Sequence, residues 1–557
     1  MATKHMISRL HGAWSVGTPR ALSTSSRGRK RWVLKGVLYG TTAGIVAGGL
    51  YYWRASPIER RKMRVTVEGG VRFLRSVSIG LKISLDYWWT LRNLEEDSPA
   101  YEEAILPCHK RSADRIVQGA LRNGGLYIKL GQGLGSFNQV LPKEYIVTLR
   151  VLQDMALSRE YKELDLLFLE EFGKTPDQLF KTFDSNPVAA ASLAQVFKAT
   201  TADDRHVAVK VQYIDLRDRY DGDIATLKIL LRFVQWMHPK FTLAWVLDEL
   251  KDTLAQELDF ENEGRNLERC ARELSSLPFV YLPKVDWKLS NKRVLTAEWI
   301  SGCKVTDKDA LSRMGLSFKD VAEKLIKASS YQIFHTGFIH GDPHPGNILV
   351  RKSPHGGAEI VLLDHGLYMP LDEDVRQSLC RIWKATILHD IPTLKEECEK
   401  VGVKEYVLFA VMLTGRALQM NRAFGTSRLT KDDQAAVMDT FKRFDEVVKI
   451  LRALPTAMLL VFRNMNMVRM ANTELGSPVN RFMIMARSAI QGSIATLDPK
   501  KQTLRSRIGT WIEIRLFDLR LLWWNTSSWC ALKYLQLLVY LGRVPPDLLT
   551  NVMHLQA

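Results

Sequence analysis

The stretch His340-Gly341-Asp342-Pro343-His344-Pro345-Gly346-Asn347, followed by Asp364-His365-Gly366, constrains this chain more than any other. Pro343 and Pro345 stop the preceding segment from running on as a helix, so the polar groups sit on a rigid loop. Ile348-Leu349-Val350 and Ile360-Val361-Leu362-Leu363 read as short apolar strands, with Ser353-Pro354-His355-Gly356-Gly357 as the turn between them. A hairpin of that kind returns the chain to its starting end and places Asp364 near Asn347. An Asp and an Asn five positions apart in a loop, then Asp-x-Gly, is the phosphotransferase spacing of base, metal ligand and second metal ligand. Two oxygen ligands converging there suit Mg2+, which keeps several waters and takes few protein oxygens beside phosphate. Any one of these residues alone would be an ordinary turn cap.

The net charge of +18, from 78 basic and 60 acidic residues, does not imply nucleic-acid binding, because half of the excess lies in residues 1–58. That segment carries nine Lys or Arg, and the first acid is Glu59. Residues 1–31, rich in Arg, Lys, Ser and Thr, have the composition of a mitochondrial transit leader. Residues 32–56 are read as a transmembrane anchor: Val37–Trp53 reaches the low end of a spanning length, and Tyr51, Tyr52 and Trp53 fit an interfacial belt. Gly36, Gly40, Gly44 and Gly48 fall four apart on one helix face, a spacing that permits a homodimer in the membrane. The localisation expected from these features is a single-pass mitochondrial membrane protein, the inner membrane favoured. A second apolar region, Leu516 to Leu541, contains Asp518, Arg520 and Lys533 and reads as an amphipathic or core helix. Six cysteines are scattered without a Cys-x-x-Cys pair, which argues against a structural zinc site or a dense disulfide framework.

Between the ends, residues 57–172 read as a helical extension, 173–300 and 301–480 as the two lobes of one domain, and 481–557 as a C-terminal helical region. Val188–Phe197, the Asp203-Asp204 turn and His206–Val211 form a strand, turn, strand pattern. In the second strand Val207, Val209 and Val211 share one face, Ala208 and Lys210 the other. A small residue beside a lysine leaves room for an adenine ring while the ammonium reaches phosphate oxygens. Val294–Ile300, which contains Glu298, reads as a hinge strand.

Together these residues resemble the UbiB family of atypical kinases, also called the aarF-domain kinases, over about residues 60–480. Lys129-Leu130-Gly131-Gln132 matches the family's Lys-x-Gly-Gln motif on an N-terminal helical extension. Ala189-Ala190-Ala191-Ser192 matches the alanine-rich loop that replaces the glycine-rich phosphate loop. Lys210 matches the nucleotide lysine, Glu257-Leu258-Asp259 the Glu-x-Asp motif, and Glu263 the helix glutamate that pairs with the lysine. Asp342, Asn347 and Asp364 match the catalytic loop and metal ligands; His365 stands where ordinary kinases have Phe, and Gly341 where many relatives have Ala.

The resemblance implies an α+β, two-lobed, atypical protein-kinase-like fold with an N-terminal helical extension and extra C-terminal helices. It implies catalytic roles for Asp342, Lys210 and Glu263, and a nucleotide site drawn from Ala189–Ser192, Ala208, Lys210 and Glu298. Mg2+, or Mn2+, would be held by Asn347 and Asp364, and Lys129, Gln132, Glu257 and Asp259 would regulate the site. ATP or ADP is the implied nucleotide. Membrane lipids or isoprenoid small molecules are the implied partners, through coenzyme Q or other lipid homeostasis. The Cβ atoms of the alanine-rich loop restrict how triphosphate is held, which argues against efficient phosphorylation of protein side chains. A nucleotide-binding scaffold without turnover and a gated Ser/Thr protein kinase stay open as alternatives.

Overall fold

The computed structural model describes residues 39, 49–95, 98–136, 141–154, 162–190, 193–237, 254–388, 390–414, 450, 454–495 and scattered positions from 515 to 543. These residues divide into two compact units.

One unit is helical. It gathers the helices Pro57–Leu91, Pro99–Asn123, Leu126–Ser136 as far as Gly135, Lys143–Leu149 and Leu216–Met237. The 35-residue helix Pro57–Leu91 starts where Ser56 and Glu59 cap each other: Glu59 N donates to Ser56 Oγ and Ser56 N to the Glu59 carboxylate. Its contacts with its neighbours are largely polar. Arg72 Nε donates to Asp223 at 2.9 Å, Asn123 Nδ2 to Ser76 Oγ at 2.9 Å, and Arg111 to Asp86 at 2.7 Å. Close approach needs glycines here, since a Cβ on Gly119 would meet Ile79 Cδ1 at 2.6 Å and one on Gly131 would meet Leu152 Cδ1 at 2.3 Å.

The expected membrane anchor is corrected. Among the described residues no helix is long and apolar enough to cross a membrane, and the single-pass mitochondrial membrane localisation is withdrawn on that finding. Of residues 32–56 the structure describes 39 and 49–56; Pro57–Leu91, which follows, is too rich in Arg, Lys and Glu to serve instead. The leader 1–31 and Gly36, Gly40, Gly44 and Gly48 lie outside the described residues.

The second unit is α+β. In chain order its strands are β1 (Thr182–Phe183), β2 (Ala189–Ala190), β3 (Ala194–Thr200), β4 (His206–Gln212), β5 (Val280–Tyr281), β6 (Val294–Glu298), β7 (Cys303–Lys304), β8 (Phe338–His340), β9 (Ile348–Lys352), β10 (Ala358–Leu362) and β11 (Tyr368–Pro370). A first sheet runs β1-β3-β4-β6, with β2 also on β3; a second runs β5-β10-β9-β7; β8 and β11 form a two-stranded ribbon. Val188–Phe197 is therefore not one strand. β2 pairs antiparallel with β3 through Ala189↔Val196 and Ala190↔Gln195, so the chain reverses between Ala190 and Ala194; side chains as small as alanine give no period from which to read that break.

The β9–β10 hairpin pairs Val350 with Ile360 and turns on Gly356 and Gly357, both at positive φ. β10 is buried along its whole length, against the helix Phe318–Tyr331 on one side. That helix continues into a π-helical turn, Gln332–Thr336, and stops at Gly337 in the left-handed region. Buried Arg376, on the helix Glu373–Leu388, donates to the Phe334 and Gly492 carbonyls and pairs with Glu373. The guanidinium thus satisfies a carbonyl exposed by the altered turn. The helices Thr456–Glu474 and Arg481–Ala495 pack on the same core.

Candidate active site

The site is built at the meeting of β4, the helix Phe260–Glu273 and the two loops that begin and follow the β9–β10 hairpin. β4 alternates as expected, with Val207, Val209 and Val211 buried and Ala208 and Lys210 half-buried on the other face. The helix begins at Asp259, whose carboxylate accepts from Glu261 N at 3.1 Å and Asn262 N at 3.3 Å. Asp259 is thus the N-cap of the helix that presents Glu263. A Cβ on Gly264 would meet the Trp287 ring at 2.7 Å, so the next residue lets that helix lie close on its support.

Lys210 Nζ donates to both Glu263 oxygens, at 2.7 and 2.9 Å, and to Asp364 Oδ1 at 3.2 Å. Glu263 is nearly sealed, its side chain 2% exposed, whereas Lys210 is 23% and Asp364 34% exposed. Burial works against the Lys210 ammonium, but Asp364 and Glu263 outweigh it and hold its pKa above the ordinary lysine range. Lys210 is therefore a fixed cation shared by two carboxylates. Asn347 Nδ2 donates to the other Asp364 oxygen at 3.2 Å, and Leu363 N donates to Asn347 O at 3.0 Å, where the hairpin closes.

Asp342 sits on the loop after β8. Its N–H donates to His340 Nδ1 at 3.2 Å, and its carboxylate pairs with Arg463 Nη2 at 3.0 Å. Arg463 comes from the helix Thr456–Glu474 and is buried; its neighbour Asn464 donates to the His340 carbonyl at 2.9 Å. A Cβ at Gly341 would strike Leu367 Cγ at 2.6 Å, which accounts for glycine at that position.

His365, in place of Phe, lies in a buried polar stack. Burial lowers its pKa to about 3 and that of His340 to about 4, so both rings are neutral near physiological pH. His365 Nε2 faces the Leu362 carbonyl at 3.1 Å and so carries the proton, leaving Nδ1, 3.0 Å from the Tyr368 hydroxyl, as an acceptor. Tyr368 stacks on His340 at 4.8 Å, and its hydroxyl lies 3.4 Å from Cys270 Sγ, which accepts from Gln332 Nε2 at 3.3 Å. Asn266 donates to the His365 carbonyl at 3.1 Å. The loop carrying Asp364 is thus fixed by directional hydrogen bonds where an ordinary kinase uses an apolar ring.

The remaining predicted residues are placed as follows. Ala189 and Ala190 form β2; Ala191 and Ser192 lie outside the described residues. Ala208 faces Ala297 across the β4–β6 pair, and Glu298 ends β6 opposite Val207. The Glu298 carboxylate accepts from the Tyr281 hydroxyl at 2.7 Å, which turns its side chain toward β5. Glu257 is buried and packs on Gly366. Lys129 and Gln132 belong to the helical unit, where Gln132 Nε2 donates to the Leu152 carbonyl at 2.8 Å. Sequence reasoning missed Arg463, Asn266, Asn464 and the Gln332–Cys270–Tyr368 chain. An Arg-Asn pair inside the apolar run Leu459–Met467 was the available signal for Arg463 and Asn464.

This α+β fold, with a lysine–glutamate pair beside an Asp-x-Gly loop, defines a kinase-like domain. Residues 151–398 match the model of the ABC1 atypical kinase-like domain. The chain is 36% identical to mouse AarF domain-containing protein kinase 1 over 457 residues, covering 81% of this chain and 86% of that protein. It is 41% identical over 425 residues to a Dictyostelium discoideum protein named probable serine/threonine-protein kinase abkD, covering 76% of this chain and 61% of that longer one. Among solved structures, an erythromycin complex of Rv3197 from Mycobacterium tuberculosis aligns with 65% of this chain at 21% identity and a TM-score of 0.39, a likeness that carries no argument. The chain belongs to the ABC1/AarF family of atypical kinases, also called UbiB. The finer expectation from Ser84–Trp89 and Leu258–Asn266, the animal member numbered five, is not supported: the mouse relative is named as member one.

Proposed function

We propose that the chain binds a magnesium nucleotide, ATP or ADP, at Lys210, Asn347 and Asp364, and acts as an atypical kinase or ATPase. The observation that carries this reading is the single ammonium of Lys210 shared between Glu263 and Asp364, with Asn347 on the far oxygen of Asp364. That donor set fits Mg2+ or Mn2+: one carboxylate and one amide oxygen, with water and phosphate left to complete the sphere. When bound, the ion neutralises phosphate charge and aligns the transferred group. Lys210 exchanges Asp364 for phosphate oxygens, while Glu263 keeps the ammonium aimed. Asp342, held by Arg463, takes the proton of the acceptor or of an attacking water.

The acceptor is proposed to be a small molecule or water, in coenzyme Q or other lipid homeostasis, rather than a protein side chain. Family resemblance and the Cβ-bearing Ala189 and Ala190 support this. Phosphate release from Mg–ATP, measured alone and with isoprenoid-type acceptors, tests it. Asp342→Asn is expected to lower turnover about a hundredfold or more; hydrolysis equal to wild type would contradict the assigned base.

A further inference from the structure

The helix Pro57–Leu91 is amphipathic the wrong way round. Its buried positions are Val65, Arg72, Ser76 and Ser84, and Arg72 is only 6% exposed. Its exposed positions include Val67, Val71, Leu74, Leu81, Leu85 and Trp88, with Leu74 at 67% and Leu85 at 60%. With exposed Ser78 these fall at alternating steps of four and three residues, a 3.5-residue repeat held for three heptads, or about 33 Å of helix. A face so regular and so apolar, on a helix already using its polar side inward, is a seam for another helix.

We infer that the seam binds the same helix of a second copy of this chain, antiparallel, about a two-fold axis. The charges beside the seam choose the occupant and the direction. With Leu74 of one copy opposite Ser78 of the other, Val71 falls opposite Leu81 and Val67 opposite Leu85. In that register Glu68 and Lys82 of the second copy lie on the same flank of the seam, about 3 Å apart along the axis, within reach of an ion pair that the two-fold repeats, giving two per dimer. Arg64, exposed and in the same seam, comes opposite Trp88, which suits a cation–π contact. The like charge that would fall beside the axis, Arg75, is already turned inward, donating to the Arg122 carbonyl and Asn123 Oδ1. Glu68 stays half exposed; among the described residues its ion pair is with Arg72 Nη1 at 3.8 Å, and Arg72 is engaged by Asp223. A parallel pairing would set Glu68 against Met63 and Lys82 against Val77 and make no ion pair. The register is self-complementary, as a two-fold interface requires.

Sedimentation velocity on the full chain, over a concentration series, tests the assignment. Wild type is expected to dimerise reversibly, and Leu74→Glu with Leu85→Glu to be monomeric. Glu68→Lys and Lys82→Glu, surface changes that leave the fold intact, should each weaken association about tenfold through two like-charge contacts. The double variant Glu68→Lys/Lys82→Glu should restore it. A wild-type monomer throughout would overturn the inference, as would a dimer that the double swap fails to rescue. Binding to anionic phospholipid vesicles that is lost in the Leu74→Glu/Leu85→Glu variant, without self-association, would assign the seam to a lipid surface and equally overturn it.

Discussion

Asp364 holds Lys210 and Gly366 N on one oxygen and Asn347 on the other. Removing its charge leaves Lys210 on Glu263, so Asp364→Asn should fold normally yet lose metal-dependent nucleotide binding. Arg463 pairs with Asp342 and with none of Lys210, Asn347 and Asp364 in the described contacts, so Arg463→Met should lower kcat about tenfold or more while the nucleotide Kd stays within about twofold. Equal losses in both would mean that Arg463 shapes the pocket rather than positions Asp342. Asp86 offers a pH test remote from the chemistry. Hydrogen bonds from Arg111, reinforced by Arg115, hold its carboxyl well below the usual carboxylate range. A lowered folded-state pKa contributes stability above the unfolded value, about 3.9, and loses it as pH falls through the folded one. The stability gap between wild type and Asp86→Asn should therefore be full at pH 7 and begin to close as the pH falls below about 4 in denaturant titrations.

Elements show what sequence alone carries. Asp342, Asn347 and Asp364 were legible because they are tied by a short rigid loop and one hairpin, so spacing along the chain nearly equals spacing in space. The Ala189–Ser192 run was less so: alanines carry no period, and β2 and β3 merged into one strand on paper. The role of Asp259 as a helix cap follows from local chemistry, and Asp259→Ala should destabilise the chain by about 1 kcal/mol with the Glu263 contact weakened. Gly131 in the Lys-x-Gly-Gln motif reads as a packing requirement. Gly131→Ala should cost about 1–3 kcal/mol, because Leu152 must move to admit a methyl group. A melting temperature unchanged by that substitution would free Gly131 for a purely functional role.

Across the whole chain, the parts that escaped reading are those that meet only after folding. Arg463 reaches Asp342 from a helix far downstream, and Leu216–Met237 joins the helical unit although β4, just before it in sequence, belongs to the sheet. The His365 stack draws on Cys270, Gln332 and Tyr368 from three separate segments, and no local period announces such a convergence. The apolar run before Pro57 illustrates the converse error, in which composition was read as a span that no described helix supplies.

Thermal unfolding of the chain with and without Mg2+–ATP or Mg2+–ADP tests the central claim most directly. At a hundredfold excess over Kd, a specific site contributes about 2.7 kcal/mol and should raise Tm by about 2–4 °C in wild type and not in Asp364→Asn. A folded wild-type protein that shows no shift with either nucleotide would contradict the account, leaving a kinase fold that keeps the constellation without using it.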